Sequence, residues 1–247
     1  MRYSVSGQRR QGSGVTFLMR LKEFTLHRRF ADNTNGQSIS VRLRRQRFQI
    51  LLNMLRDIPR PVTILDIGGR QKYWEMMGLD LLRNPDLQIT LLNTEAQSVS
   101  LANFSAVSGD GRSMPQFSDK QFAIVFSNST IEHVGPLEDQ ERMSQEVRRV
   151  GKKYYVQTPN RYFPIEPHFI FPFFQFFPVS WRAWLLQHFN LGWYSKIPDR
   201  EQALTEVTRI RLMTKTELER IFPDANIFEE KVCGMTKSFV AYTAPQS

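Results

Sequence analysis

Between Ser40 and Leu55 the apolar residues Val41, Leu43, Phe48, Leu51, Leu52 and Leu55 recur close to a helical period. The spacing predicts a helix ahead of the first strand. "PVTILDIGG" follows as a short apolar run with Pro61 in front and Gly68 and Gly69 behind, the pattern of a buried strand. "QITLLN" from Gln88, "QFAIVFSNS" from Gln121 and "KKYYVQTPN" from Lys152 repeat it. Among the stretches between them, "EDQERMSQEVRRV" from Glu138 sets Met143, Val147 and Val150 on one face and its charges on the other. Strands alternating with helices predict an α/β fold with a mostly parallel sheet covered on both faces. Near the end, "TKTELERIF" reads as a capped helix, and "ANIFEEKVCGM" and "KSFVAYTA" as adjacent strands.

At 247 residues and 41% hydrophobic, the chain suits one larger domain with additions. The division expected is a basic, partly disordered segment over 1–38 and a domain over 39–247 with an insertion at about 160–196. Cys233 is the single cysteine, which excludes an intramolecular disulfide and a cysteine-rich metal site and agrees with a reducing, cytoplasmic setting. No apolar run reaches the ~20 residues that span a bilayer, and the first residues lack the apolar core of a signal peptide. Met19 is an alternative start. The net charge of +9 is concentrated around "RLRRQRF", which reads either as a solvated arginine-rich helix or as a face toward anionic lipid or nucleic acid.

In an open parallel sheet, ligands bind beyond the carboxyl ends of the strands. Asp66, Gly68 and Gly69 stand there after the first strand, Asn93, Thr94 and Glu95 after the second, and Ser127, Asn128 and Ser129 after the later one. Glycine lets backbone approach a ligand, and an acidic or amide side chain at the second strand end can hold ribose hydroxyls. That combination describes a nucleoside site; two glycines in an ordinary tight turn are the alternative. Gly69 is followed by Arg, Gln, Lys, Tyr and Trp, so the dinucleotide fingerprint G-x-G-x-x-G is absent, as is a Walker A loop.

"ILDIGGRQKYW", "ITLLNTE", "GDGRSMP" before "FAIVFSNSTIEHV", and "EVRRVGKKYYVQTPN" resemble the successive motifs of class I S-adenosylmethionine-dependent methyltransferases, in particular the type 11 group. The resemblance spans Val62 to about Asn160. It implies a Rossmann-like fold, a mostly parallel seven-stranded sheet with helices on both faces and a reversed last strand, and S-adenosylmethionine as cofactor. Carried across, Asp66, Gly68 and Gly69 would form the loop around the methionine part of the cofactor. Asn93 or Glu95 would take the ribose hydroxyls, Asp110 beside Gly111 the adenine amino group, and Ser127 and Asn128 would line the cofactor. Arg70 and Lys72 stand where the family has further glycines, and the second strand ends in "NTE" rather than directly in an acid.

Methyl transfer from a sulfonium is a direct displacement that needs a base only if the nucleophile must lose a proton. Glu132 and His133 of "IEHV" lie just past the strand, and His133, with an unperturbed pKa near neutrality, is the better candidate base. A capping or supporting role is the alternative. The two adjacent residues alone make an incomplete ligand set, so no metal is expected.

Of the chain's 30 aromatic residues, 13 fall between Tyr162 and Tyr194, in a stretch broken by Pro164, Pro167, Pro172 and Pro178. This segment reads as a substrate lid with Glu166 and His168 toward the substrate, or as a peripheral membrane contact delivering a lipid-like acceptor. His168 serves as well for structure as for catalysis. The function expected is methyl transfer to a small-molecule, sugar or lipid-linked acceptor. A nucleic-acid methyltransferase is disfavoured because the aromatics are not interleaved with the basic residues. A non-catalytic module retaining the fold is the third reading.

Overall fold

The computed structural model describes residues 39–56, 58–78, 84–95 and 97–244; the basic segment 1–38 and its expected disorder lie outside the described residues. The chain falls into two units, 1–42 and 43–247, and the sheet belongs to the second. Helix α1 (Ile39–Arg56) precedes strand β1 (Val62–Ile67), helix α2 (Gln71–Met77) and strands β2 (Leu87–Asn93), β3 (Phe104–Ser108) and β4 (Phe122–Asn128). Helix α3 (Leu137–Val150) leads into β5 (Gly151–Pro159), and α6 (Lys215–Ile221) into the pair β8 (Asn226–Val232) and β9 (Met235–Tyr242). Between them lie the hairpin β6 (Ile165–Glu166) and β7 (Phe171–Pro172) and helices α4 (Val179–His188) and α5 (Arg200–Thr208).

The seven-stranded sheet has the order β3-β2-β1-β4-β5-β9-β8. Strands β1 to β5 pair in parallel, whereas β9 runs antiparallel to both β5 and β8. The expected sheet with a reversed last strand is therefore observed. Successive strand residues point to opposite faces, and the two cores follow that alternation. Leu65, Val125, Tyr154 and Ala241 pack under α3 and α6. Ile64, Ile124, Tyr155 and Val240 pack with Trp74 and the α1 residues Phe48, Leu51 and Met54. Glu217 and Thr214 form the capping box that the sequence predicts for α6.

The pattern of apolar residues gives no sign of β3. Phe104 alone is buried in it, and the strand exists because β2 offers it a free edge, with Ser105 donating across to Thr90. The arginine-rich helix is not simply a solvated one either. Arg47 is buried and donates to Glu230 at 3.0 Å and to Ser238 at 3.1 Å, tying α1 to the β8–β9 pair. The insertion expected at about 160–196 forms its own core, in which Phe169, Phe174, Ala183 and Leu186 pack with Ala203, Val207, Ile210 and Leu212. Its partners thus extend past 196 into α5 and the residues after it.

Breaking a buried ion pair costs about 3–5 kcal/mol; without Arg47, Glu230 keeps only the more distant Lys237, 3.6 Å away, as a cation, which sets the loss toward the lower end. Arg47→Met is expected to lose stability in that range in chemical denaturation, while Arg47→Met combined with Glu230→Met recovers most of it. Equal loss in the single and double variants would show that Glu230 does not depend on Arg47.

Candidate functional site

Strand order reverses at β1, with β2 on one side and β4 on the other, so the crossovers leave a crevice beyond the carboxyl ends of these strands. Asp66, one residue from the end of β1, is buried there. Its Oδ2 accepts a 2.7 Å hydrogen bond from the indole N–H of Trp74, the buried residue of α2. Its Oδ1 is buried without a hydrogen-bond partner among the described residues. Burial pushes the carboxyl up to about 7, and the Trp74 bond only partly opposes this. Gly68 has φ +76, and a Cβ on Gly69 would stand 1.7 Å from Asp66 Oδ2, so the loop between strand and helix has room only for glycine.

The next strand ends lock this loop. The Asn93 side-chain amide donates to the Gly69 carbonyl at 3.0 Å, and the Gly68 N–H donates to Leu92. Glu95 is exposed further along. Asp110 is gripped through both carboxylate oxygens by Arg112, which also reaches Asp139, and that hydrogen bonding holds its carboxyl below the usual range. Gly111 lies against Ile67 so closely that a Cβ would come within 2.8 Å of it. Ser127 is buried and donates to the Ile67 carbonyl at 3.4 Å, and Asn128 keeps a buried Oδ1 with no partner among the described residues.

Just past β4, the 3-10 turn Ile131–His133 presents Glu132 and His133. Glu132 is fully buried; its Oε2 accepts from the Thr158 hydroxyl of β5 at 3.1 Å, and its Oε1 has no partner among the described residues. His168, from the β6–β7 hairpin, approaches with Nε2 4.0 Å from Glu132 Oε1, and its ring meets that of His133 edge-on at 4.8 Å. Glu166 holds His168 in place: Oε1 lies 2.7 Å from Nδ1, and Oε2 accepts the His168 and Phe169 N–H groups.

Burial pushes Glu132 up to about 7, against the pull of His168. It drives His133 down to about 4, helped by the charges of His168 and Arg209. Burial also lowers His168, but the hydrogen bond and charge of Glu166 outweigh it and leave that imidazole raised. The premise that favoured His133 as the base, an unperturbed value near neutrality, does not carry into the fold, which partly buries it beside a second imidazole, while Glu132 is raised.

Next to this cluster, and sharing Glu166 with it, lies a cavity of about 260 Å³. Its wall combines Phe169 and Phe174 with Arg161, Arg182 and Arg211. Arg211 is engaged by Gln140 and Glu217. Arg182 donates to the Val207 carbonyl, while its Nε is buried without a partner among the described residues.

The fold thus brings the proposed cofactor residues, Glu95 apart, to one edge and joins Glu132 and His133 with His168. It also places residues that sequence reasoning missed. Trp74 carries the signal of being the apolar residue one turn into α2; Thr158, Arg112 and Arg182 carry no signal short of the fold.

Residues 68–154 match the family model described as a methyltransferase domain, which bears out the resemblance drawn from the motifs. Two uncharacterized proteins of Mycobacterium tuberculosis, from strains CDC 1551 and H37Rv, are each 39% identical over 57 residues, or 23% of this chain. The chain covers only 20% of the length of these curated relatives. Among solved structures, one described as a possible exported protein from Bordetella parapertussis aligns with 90% of this chain and 79% of its own at 10% identity and a TM-score of 0.51, a likeness of fold. The N-terminal domain of EvdMO1, solved with S-adenosylhomocysteine bound, aligns over 82% and 81% at 14% identity and TM-score 0.48. A Methanosarcina mazei methyltransferase aligns over 80% and 98% at 16% identity and TM-score 0.43.

Asp66 keeps its proton in the folded chain to about pH 7, whereas its ordinary value is 3.8. The folded state therefore binds more protons than the unfolded one between these values. Stability falls as pH rises through that window and stays low above it. Asp66→Asn keeps an acceptor for Trp74 and removes this loss. It is expected to raise the Tm at pH 8, by on the order of 4 kcal/mol at most in stability, with the gain vanishing toward pH 4. A wild-type chain more stable than the variant at pH 8 would contradict this.

Proposed function

We propose that this chain, whose residues 68–154 match the methyltransferase-domain family model, is a class I methyltransferase that transfers a methyl group from S-adenosylmethionine to a small-molecule acceptor. The observation that carries the reading is the buried Asp66 carboxylate with one open oxygen, set at the point where the strand order reverses. The residues suit this cofactor. Asp66 Oδ1 and Asn128 Oδ1 are buried acceptors lacking partners among the described residues, as the ammonium and hydroxyl groups of the cofactor require. Asn93 positions the loop by donating its side-chain amide to the Gly69 carbonyl. Asp110, tied to Arg112, offers the adenine a carboxylate of fixed orientation.

When bound, the cofactor supplies an electrophilic methyl group on a sulfonium. The chain itself aligns the acceptor and excludes water, the β6–α4 segment serving as the lid. Glu132, His133 and His168 are the clustered groups available to receive the acceptor's proton. The lining of the cavity beside Glu166 supports an acceptor with an apolar portion against Phe169 and Phe174 and an anionic group toward Arg161 and Arg182.

Titration calorimetry with S-adenosylmethionine and S-adenosylhomocysteine tests the cofactor assignment. Micromolar binding is expected for the wild-type chain. Asp66→Ala should weaken it by about 100-fold, the worth of a hydrogen bond to a charged group, and Gly69→Ala should abolish it by displacing Asp66. Wild-type protein that binds neither compound would leave the chain a non-catalytic module.

A second reading, an acceptor drawn from a lipid surface, is favoured by the solvent-facing aromatics of the insertion. Trp181 and Trp184, one turn apart on α4, are 65% and 50% exposed, and Phe173 and Trp193 are also more than half exposed. Rings with one apolar body and a polar edge settle at a membrane interface. Among the described residues no helix is long and apolar enough to cross a membrane, so such a contact would be peripheral. Cosedimentation with phosphatidylglycerol vesicles is expected for the wild-type chain and at least about fivefold weaker for Trp181→Ala/Trp184→Ala, each ring contributing on the order of 1 kcal/mol. Equal sedimentation of both would remove this reading and leave a water-soluble acceptor.

A further inference from the structure

Glu132 is a carboxylate with no exposed surface, and one of its oxygens is left unpartnered beside two imidazoles. A buried charge in that state is expensive unless a cation or a proton meets it. Thr158 occupies Oε2, which turns the free Oε1 toward the histidines. His168 is fixed by Glu166 through Nδ1, so Nε2 is the nitrogen directed at Glu132. One ligand atom from each of Glu132, His133 and His168 lies within 4.8 Å of the others.

We infer that Glu132, His133 and His168 form a binding site for one divalent transition-metal ion, with Glu166 as the residue that orients His168. Two imidazoles and one carboxylate are a donor set for zinc or ferrous iron, not for calcium or magnesium, which take oxygen ligands. A carboxylate on the far nitrogen of a ligating histidine fixes its tautomer and strengthens it as a ligand. That is the relation of Glu166 Oε1 to His168 Nδ1. Donors about 2.1 Å from one ion stand about 3.4 Å apart in a tetrahedral site, so the three side chains close in modestly around the metal. Three protein ligands leave a coordination position open, and His133 and His168 are the two of the three that reach solvent. The expectation of no metal rested on Glu132 and His133 as an incomplete pair, and the hairpin supplies the missing ligand from 35 residues further along the chain.

An ion there would face the acceptor cavity through Glu166, and only this placement rests on the methyltransferase reading. An oxygen of the acceptor in the open position would lose its proton more readily, as metal-bound water does.

The test is metal retention by the full chain, stripped with chelator and reloaded with Zn²⁺ or Co²⁺, then desalted. Zinc content by atomic emission is expected at about one equivalent for the wild-type chain. The Co²⁺ form should show the intense visible absorption of a four- or five-coordinate site. Glu132→Gln and His168→Asn should each retain less than about a tenth of an equivalent, and Glu166→Gln should bind about 10–100-fold more weakly. His188→Asn, on the exposed end of α4, should bind like the wild type. Circular dichroism identifies any variant that fails to fold, in which case His133→Asn takes its place. Wild-type protein that keeps no zinc, or ligand variants that keep as much as the wild type, would overturn the site and leave the cluster as a His168 cation shared by two carboxylates. Calorimetry with S-adenosylmethionine on the same samples separates the two readings, since cofactor binding depends on Asp66 and not on this cluster.

Discussion

The hydrogen bond from the Trp74 indole to the buried Asp66 carboxylate holds the rest of the site in register. It joins the end of β1 to the first full turn of α2 across a loop so tight that Gly69 has no room for a Cβ. With the loop pinned from below, Asn93 can hold it from the neighbouring strand, and one buried oxygen of Asp66 is left without a partner among the described residues. A carboxylate buried this fully is held largely protonated near neutrality and ionises readily only when a cation arrives. The same geometry therefore costs stability in the empty protein and favours a positively charged ligand.

The second half of the site is built by a different device. Glu132 and His133 are fixed by the turn after β4, but His168 comes from a hairpin that belongs to the aromatic insertion, and Glu166 satisfies that hairpin's own backbone N–H groups while gripping the imidazole. The insertion is consequently more than a cover. Its core of phenylalanines and α5 residues sets the height of His168 above Glu132, and the same residues wall the arginine-lined cavity. Loosening that core would disturb the cluster and the acceptor cavity together.

Much of the fold was legible in the sequence. The apolar runs at Val62, Gln88, Gln121 and Lys152 became strands because each is buried on both faces, and a strand buried on both sides has to be apolar throughout. Strand β3 was not legible, since an edge strand needs only one buried residue. The burial of Arg47 was equally hidden, because a helical arginine reads the same whether it meets water or Glu230.

The sequence by itself determined the alternation of strands and helices, the glycines after β1, and the polar residues waiting at successive strand ends, because periodicity and turn chemistry are local properties. Only the tertiary structure decided that Arg112 would claim Asp110, that His133 would be partly buried beside a second imidazole and lose basicity, and that His168 would stand beside Glu132. Those outcomes depend on contacts between segments tens of residues apart and on the water each group loses on folding, neither of which a linear pattern contains.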